Sequence, residues 1–423
     1  MKVLKFGGTS VGSAENIRRV KNIVLGEKDD VIVVVSAIGG ITDLILRAAQ
    51  IASAGTEEFR KDLEEIKNRH SEIIEQLFNG SGAMTYIAEE LLDELEQILT
   101  GITLVGELTP KTLDRIAGIG ERISSHILAQ FIIGAVRHEA SEFIRTDSSF
   151  GKATVHFNET DKLIQERFRQ FEGIAVVPGF IAKNNRNEFT TLGRGGSDYT
   201  AAIIAASLEV DALEIWTDVD GFMTADPRVI SKAYTISELT YPEAMELSHF
   251  GARVIYPPTI LPVYQKGIPI RIKNTFKPER EGTLILSSTK SRKDRPIKGI
   301  SSISEIALVT LQGIGMVGVT GISMRLFTAL AKMNVNVILI SQASSENSIS
   351  VAVDEHAVNI AENAINAEFE KEIANGQVSK ISIENDLSIV AIVGENMKHT
   401  TGIAGKLFST IGKNGVNIIA IAQ

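Results

Sequence analysis

Short apolar runs alternate with amphipathic stretches through the first two-thirds of the chain. The runs over 1–6, 31–36, 142–146, 174–178, 212–217 and 268–273 read as strands. The run at 31–36, Val-Ile-Val-Val-Val-Ser, is continuous rather than alternating, the mark of a strand buried on both faces of a parallel sheet. Ser13 and Glu15 open a helix that runs through Ile17 and Val20. Leu63, Ile66, Ile73 and Leu77, then Leu91, Leu92, Leu95 and Ile98, place helices across 56–100, with the charges there as a solvated face. A further helix is predicted over 111–136, and an alanine-rich one over 201–206. Strands that alternate with helices predict an α/β fold, a predominantly parallel sheet in a three-layer αβα sandwich.

The pattern changes after Gly282-Thr283 and the polar run 287–295, which puts a domain boundary near 296. Beyond it the chain repeats itself. Residues 306–342 align without a gap on 387–423, at a constant offset of 81. Gly313 matches Gly394, Met316 matches Met397, Thr320-Gly321-Ile322 matches Thr401-Gly402-Ile403, and Gln342 matches Gln423. Each copy reads strand, glycine loop, amphipathic helix, strand. The first continues with a strand at 348–353, a helix over 356–373 and a strand near 378–383, a βαββαβ order. The second stops after its second strand. By the first copy's plan it lacks a strand, a helix and a last strand, so the chain reads as a fragment of a longer protein.

Composition narrows the classes. A length of 423 residues calls for two or more domains, and 44% hydrophobic residues is globular. A net charge of −9 argues against nucleic acid or an anionic membrane as partner. With no cysteine there are no disulfides, thiolate metal sites or cysteine nucleophile. The seven histidines show no ligand spacing. No apolar run approaches the ~18 residues of a membrane span and no signal peptide opens the chain, so a cytoplasmic protein is expected.

The chemistry collects in loops after strands. Lys5-Phe6-Gly7-Gly8-Thr9-Ser10 joins a strand to a helix through two glycines, which lets backbone N–H groups approach an anion that Lys5 also reaches. A tight turn with a surface lysine is the alternative. The lysine precedes the glycines, so this is not a Walker loop. Gly193-Arg194-Gly195-Gly196-Ser197-Asp198 is a second such loop, and 36–42, ending in Thr42, a third. Ligands of open α/β sheets sit at these strand ends. Thr42 reads equally well as a helix cap. Glu121, in a mostly apolar segment, faces water, a partner or a ligand, because an unpaired buried charge is costly. Thr217, Asp218 and Asp220 end a strand with a hydroxyl and two acids suited to ribose and to magnesium-bound water. Arg228 is a cation available to phosphate, and Lys273, at the end of the last strand, is placed to reach a nucleotide bound at these strand ends.

Together Lys5–Ser10, Gly120-Glu121-Arg122, Gly193–Asp198, Trp216–Gly221, Asp226-Pro227-Arg228 and Ile272–Thr275 resemble aspartate kinase, in the family's order and over essentially the whole chain. The region 214–221, with 262–275 and the paired glutamines, looks most like the kinase part of bifunctional aspartate kinase–homoserine dehydrogenases. The resemblance implies an amino-acid-kinase catalytic domain over 1–296. It implies a first ferredoxin-like ACT domain over 297–384 and an incomplete second one over 385–423. It also implies transfer of the ATP γ-phosphoryl group to the β-carboxylate of L-aspartate, with Mg²⁺ accompanying ATP. That reaction opens the route to lysine, threonine and methionine.

On that pattern Lys5 meets the γ-phosphoryl oxygens and Asp198 orients it, while Gly7, Gly8 and Ser10 cradle phosphate. Arg194 clamps the substrate α-carboxylate. Glu121 and Asp198 meet the ammonium group, and Thr42 and Ser197 add substrate contacts. Thr217, Asp218, Asp220, Arg228 and Lys273 bind the nucleotide. The effector, threonine or lysine, would sit at ACT interfaces that also build a homo-oligomer, with Gln342 and its counterpart Gln423 ahead of Met316 and Asn336 as contacts. A dimerisation module that binds nothing is the alternative for this region. Two places depart from the family: Phe222-Met223 replaces the usual tyrosine, and Tyr256 stands where histidine is usual, with Arg253 keeping a charge. The competing readings are a kinase of the same fold on glutamate, N-acetylglutamate, carbamate or a nucleotide, and a non-catalytic amino-acid sensor.

Overall fold

The strand Lys2–Phe6 lies at the centre of an eight-stranded sheet, hydrogen-bonded in parallel to Val31–Val35 on one side and Ala212–Thr217 on the other. The computed structural model describes residues 1–79, 82–252, 254–289, 296–379 and 381–422. The chain divides into two compact units, Met1–Arg292 and Lys293–Gln423.

In the first unit the sheet order is Ala135–Arg137, Ile174–Pro178, Val31–Val35, Lys2–Phe6, Ala212–Thr217, Ile270–Asn274, Thr283–Leu286 and Glu238–Thr240. Every pairing is parallel except Ile270–Asn274 with Thr283–Leu286. The period of two in a strand explains the layers. Leu4, Phe6, Val31, Val33 and Val35 join a core with Ile17, Val20, Ile45, Leu63, Ile66 and Leu95 from helices on one face. Val3, Ile32 and Val34 point the other way and are equally inaccessible. Both faces are covered, which gives the three-layer sandwich.

Two expectations are corrected. The strand placed at 142–146 is a 3₁₀ turn, Ala140–Glu142, followed by the two-residue strand Arg145–Thr146. That strand belongs to a separate three-stranded sheet with Ile181–Asn184 and Phe189–Thr191. The helix predicted over 111–136 is two helices, Pro110–Ala117 and Ile119–Phe131, followed by the strand Ala135–Arg137. The break falls at Gly118, where a Cβ would lie 2.2 Å from the Ile181 side chain. That close approach turns the chain toward the small sheet.

In the second unit Leu339–Gln342, Ser348–Asp354, Gly299–Gln312 and Ser382–Val393 form a four-stranded antiparallel sheet in that order. The repeat reaches further upstream than 306. Lys298 N–H donates to Val393 O at 2.8 Å, and Ser379 N–H to Gln312 O at 2.7 Å, each pair displaced from the other by the same 81 residues. Glu305 and Asp386, also 81 apart, both take positive φ, 60° and 56°. A Cβ at Gly313 would strike Gln377 O, and one at Gly394 would strike Pro296 O. Gly299–Gln312 and Ser382–Val393 are therefore equivalent strands, each serving both copies. Residues 299–303 stand against 389–393 where 382–384 stand against 308–310.

The two copies are thus interleaved, and the second does receive a strand in the last-strand position. Its second predicted strand, in contrast, joins no sheet among the described residues.

Candidate active site

Lys5 sits near the carboxyl end of the central strand, where the chain enters its first glycine turn. Gly7 N–H donates to Trp216 O at 3.1 Å and Ser10 N–H to Gly7 O at 2.9 Å, which closes the turn. Gly8 admits no side chain, since a Cβ there would lie 2.8 Å from Ala37 O and 3.0 Å from Gly39 Cα. That proximity lets Gly39 N–H donate to Gly8 O at 3.0 Å, tying the first and third loops together. Arg69 Nη2 in turn donates to Gly39 O at 2.7 Å. Arg69 lies in the helix Phe59–Phe78, a stretch whose charges read as a plain solvated face.

Around this framework a cavity of about 310 Å³ opens, into which Lys5, Thr42, Glu121, Ser197 and Asp198 all reach. Lys5 Nζ pairs with Asp198 at 2.6 Å, both side chains largely buried. Asp198 is placed by the first turn of the helix Gly196–Leu208, whose N-cap Gly195 is left-handed at φ 70°. Glu121 is placed by the second residue pair of Ile119–Phe131. Gly120 beside it lets that helix press on the third loop, because a Cβ there would lie 2.6 Å from Ala37 Cβ.

Glu121 is only 4% exposed. It accepts the Ala37 N–H, but its Oε2 has no partner. Burial pushes its carboxyl up to about 7, while the Ala37 bond and the Lys5 charge pull it down. A buried, half-satisfied carboxylate beside a lysine–aspartate pair is arranged to take an ammonium group.

Other expected residues are placed differently. Arg194 does not line the cavity; its guanidinium lies over the Tyr256 ring, 5.9 Å from the centroid. Ser10 is wholly buried, its hydroxyl bonded to Thr275 Oγ1 at 2.7 Å and close to Trp216 O. On the opposite side of the first loop, Asp220 accepts from Asn274 Nδ2 and Arg280 Nη1, both at 2.6 Å. Thr217 Oγ1 donates to Asp218 Oδ1 at 3.2 Å. Lys273 Nζ lies 4.5 Å from the centre of the Trp216 ring, and Arg228 pairs with Asp226 on the surface.

Residues 1–274 match the amino acid kinase family, and 309–369 with 390–423 match the ACT domain. The lysine-sensitive aspartokinase 3 of Escherichia coli is 30% identical over 99% of this chain and 92% of its own length. The chain belongs to the aspartokinases. Another relative is the bifunctional aspartokinase/homoserine dehydrogenase of Buchnera aphidicola, 34% identical over 100% of the chain and 53% of that protein. The chain spans about half the length of several such bifunctional relatives. The crystal structure of E. coli aspartokinase III with aspartate and ADP, in its R-state, superposes with a TM-score of 0.83 at 29% identity, over 100% of this chain and 93% of that one. The same enzyme with lysine and aspartate, in its T-state, gives 0.80.

The aspartokinase signature motifs locate the loops but not everything that shapes the cavity. Phe180 lines it with a left-handed φ of 71°, its N–H held by Thr200 Oγ1 at 3.0 Å. No sequence signal marks a phenylalanine for that conformation. Asp43 also lines it, hidden in the sequence as an ordinary first-turn acid after Thr42. Tyr256 is reached only because the Pro257–Ile260 turn folds back on Gly195.

In the ACT unit a cavity of about 390 Å³ is lined by Met316, Thr320, Ser323, Gln342 and Glu346 among others. Asn336 is exposed and does not line it. Gln423 and Arg253 lie outside the described residues.

Proposed function

We propose that this chain transfers the γ-phosphoryl group of ATP to the β-carboxylate of L-aspartate, giving an acyl phosphate. The observation that carries the reading is the Lys5–Asp198 pair facing the half-satisfied Glu121 carboxylate in one cavity. The acceptor carboxylate is already an anion at neutral pH, so no general base is required. The work left to the protein is positioning and charge stabilisation.

Lys5 Nζ is assigned to the transferred phosphoryl group and the attacking carboxylate, with Asp198 holding it in place. The Glu121 Oε2 lone pair and Asp198 take the substrate ammonium, and Thr42 and Ser197 supply hydroxyl contacts. Arg194 swings from Tyr256 to the α-carboxylate. The Gly7-Gly8 backbone lies along the phosphates, and Thr217, Asp218, Asp220, Arg228 and Lys273 form the nucleotide side. Among the described residues no group of three His, Asp or Glu side chains gathers to hold an ion alone. The residues fit a Mg²⁺ that arrives on the nucleotide phosphates, with Asp218 nearby, and that neutralises phosphate charge there.

The test is ATP- and Mg²⁺-dependent formation of aspartyl hydroxamate, with hydroxylamine trapping the acyl phosphate. Turnover with L-aspartate and none with L-glutamate is expected. Turnover with L-glutamate, a carbamate or a nucleotide instead would replace the acceptor.

The ACT unit is proposed to bind an end-product amino acid in the Met316–Gln342 cavity and to pair between copies of the chain. Among the described residues lining that cavity Glu346 is the one charged side chain, which favours lysine, with its second ammonium group, over threonine. A lysine-dependent rise in Tm of the full chain, absent with threonine, is the expected result.

A further inference from the structure

Asp114 carries no role in the reading above, yet it is a buried carboxylate that accepts from two separate segments beside the site. It lies in the helix Pro110–Ala117 and is 3% exposed. The Gly151 N–H donates to its two oxygens at 3.0 and 2.9 Å. Thr191 gives it both a backbone N–H at 3.0 Å and its hydroxyl at 2.8 Å. Burial pushes the Asp114 carboxyl above its usual range, and the bonds from Gly151 and Thr191 oppose that. A buried charge satisfied by donors from two separate segments holds those segments together.

The two segments flank the loop that carries the acceptor-side residues. Ala153 N–H donates to Thr191 O at 3.0 Å, adding a second tie between them. Gly193 follows directly, left-handed at φ 72°, and packs so closely that a Cβ would lie 3.3 Å from Gly151 O and 3.4 Å from Lys152 Cγ. Gly196 N–H then closes the turn on Gly193 O at 2.9 Å, with Arg194 at its tip. Ser197 and Asp198 come next, in the first turn of Gly196–Leu208.

We propose that Asp114 is a positioning residue for the acceptor loop: by clasping Gly151 to Thr191 it fixes the seat of Gly193, and through it the placement of Arg194, Ser197 and Asp198. The consequence for substrate rests on the reading that this loop binds the amino-acid acceptor; the clasp itself does not.

The test is Asp114→Asn in the full chain, read in two ways. An amide cannot accept from every donor, and its own NH₂ opposes an N–H. Hydrogen exchange of peptides spanning 191–198 is expected to quicken at least tenfold, while that of peptides over 5–12 stays within twofold. In the hydroxamate assay the KM for aspartate is expected to rise at least tenfold, with the KM for ATP within twofold. In a variant that folds, equal changes in both KM values and in both sets of peptides would overturn a positioning role. So would unchanged exchange over 191–198. If Asp114→Asn does not fold, Thr191→Val decides, since it removes only the hydroxyl bond: threefold faster exchange and a threefold higher aspartate KM support the clasp, and no change in either refutes it. Faster loop exchange in a chain whose unsubstituted form does not phosphorylate aspartate would keep the clasp and remove the acceptor reading.

Discussion

The two sides of the first glycine loop are built on opposite plans. On the acceptor side Lys5, Glu121 and Asp198 are nearly out of water, and backbone too tightly packed for a Cβ holds them there. Glu121 Oε2 is left without a partner. On the proposed nucleotide side the cations Arg228 and Arg280 are exposed, and each is already paired with a less accessible acid, Arg228 with Asp226 and Arg280 with Asp220. The acceptor half keeps an unmet electrostatic need that a ligand fills. On the proposed reading, nucleotide binding on the other side breaks pairs that are already made. Substitutions on the first side should therefore act strongly and selectively, and those on the second weakly.

The sharpest test is Lys5→Ala. A cation aimed at charge that develops in transit contributes about 3 kcal/mol, so kcat should fall by at least two orders of magnitude. A change confined to KM would mean that Lys5 only binds substrate, and the contrast would lose its strongest member.

Glu121→Gln comes next and carries a pH signature. Its folded carboxyl titrates at about 7, above the ordinary value of 4.5, because burial disfavours the charge. The group is therefore neutral below that value in the folded chain, and only the charged form holds an ammonium. The KM for aspartate should fall as pH rises through about 7, and Glu121→Gln should abolish that fall and raise KM about tenfold at pH 8. Stability has the opposite sign. A raised carboxyl pKa costs folding free energy that grows as pH rises from 4.5 through about 7. At pH 8 the glutamine variant should thus melt no lower than the parent, and higher if it packs alike. A lower Tm at pH 8 together with an unchanged aspartate KM would make Glu121 a structural acid.

What the sequence made legible follows the same divide. Glycine spacing and strand ends made Lys5 and Asp198 readable, the resemblance added Thr42, Glu121 and Ser197, and the structure brings all five to one cavity. The parallel sheet was readable from continuous apolar runs such as 31–36. Arg69, Asp114 and Phe180 were not, because each acts through a backbone contact made by tertiary folding, which leaves no periodicity. The interleaving of the ACT copies was missed for a related reason. Ungapped similarity is weak over 296–305, and the equivalence there lies in hydrogen bonds and in the positive φ of Glu305 and Asp386 rather than in residue type.

Arg194→Lys tests a residue at the margin of the two plans. Its guanidinium lies over the Tyr256 ring, and only a planar fork grips a carboxylate with two parallel bonds. The KM for aspartate should rise several-fold with kcat little changed. Tyr256→Ala should raise it less, since a cation over a ring at an exposed site contributes ~0.5–1 kcal/mol. If Tyr256→Ala proved the more damaging of the two, the tyrosine itself would be a substrate contact.

The smallest effect is expected from Arg280→Ala. Arg280 is half exposed and pairs with Asp220, and such surface pairs contribute about 0–1 kcal/mol. Removing it leaves the Asp220 carboxylate with Asn274 and with Lys277 Nζ, 3.9 Å away. Two opposing consequences follow for ATP: a pair no longer has to be broken, and one cation near the phosphates is gone. They should nearly cancel, so the KM for ATP should shift by less than threefold and that for aspartate not at all. A tenfold rise in the ATP KM would mean that Arg280 is a committed phosphate ligand. The nucleotide side would then be as preformed as the acceptor side, and the weak response of exposed, self-paired charges would have to be sought elsewhere in the fold.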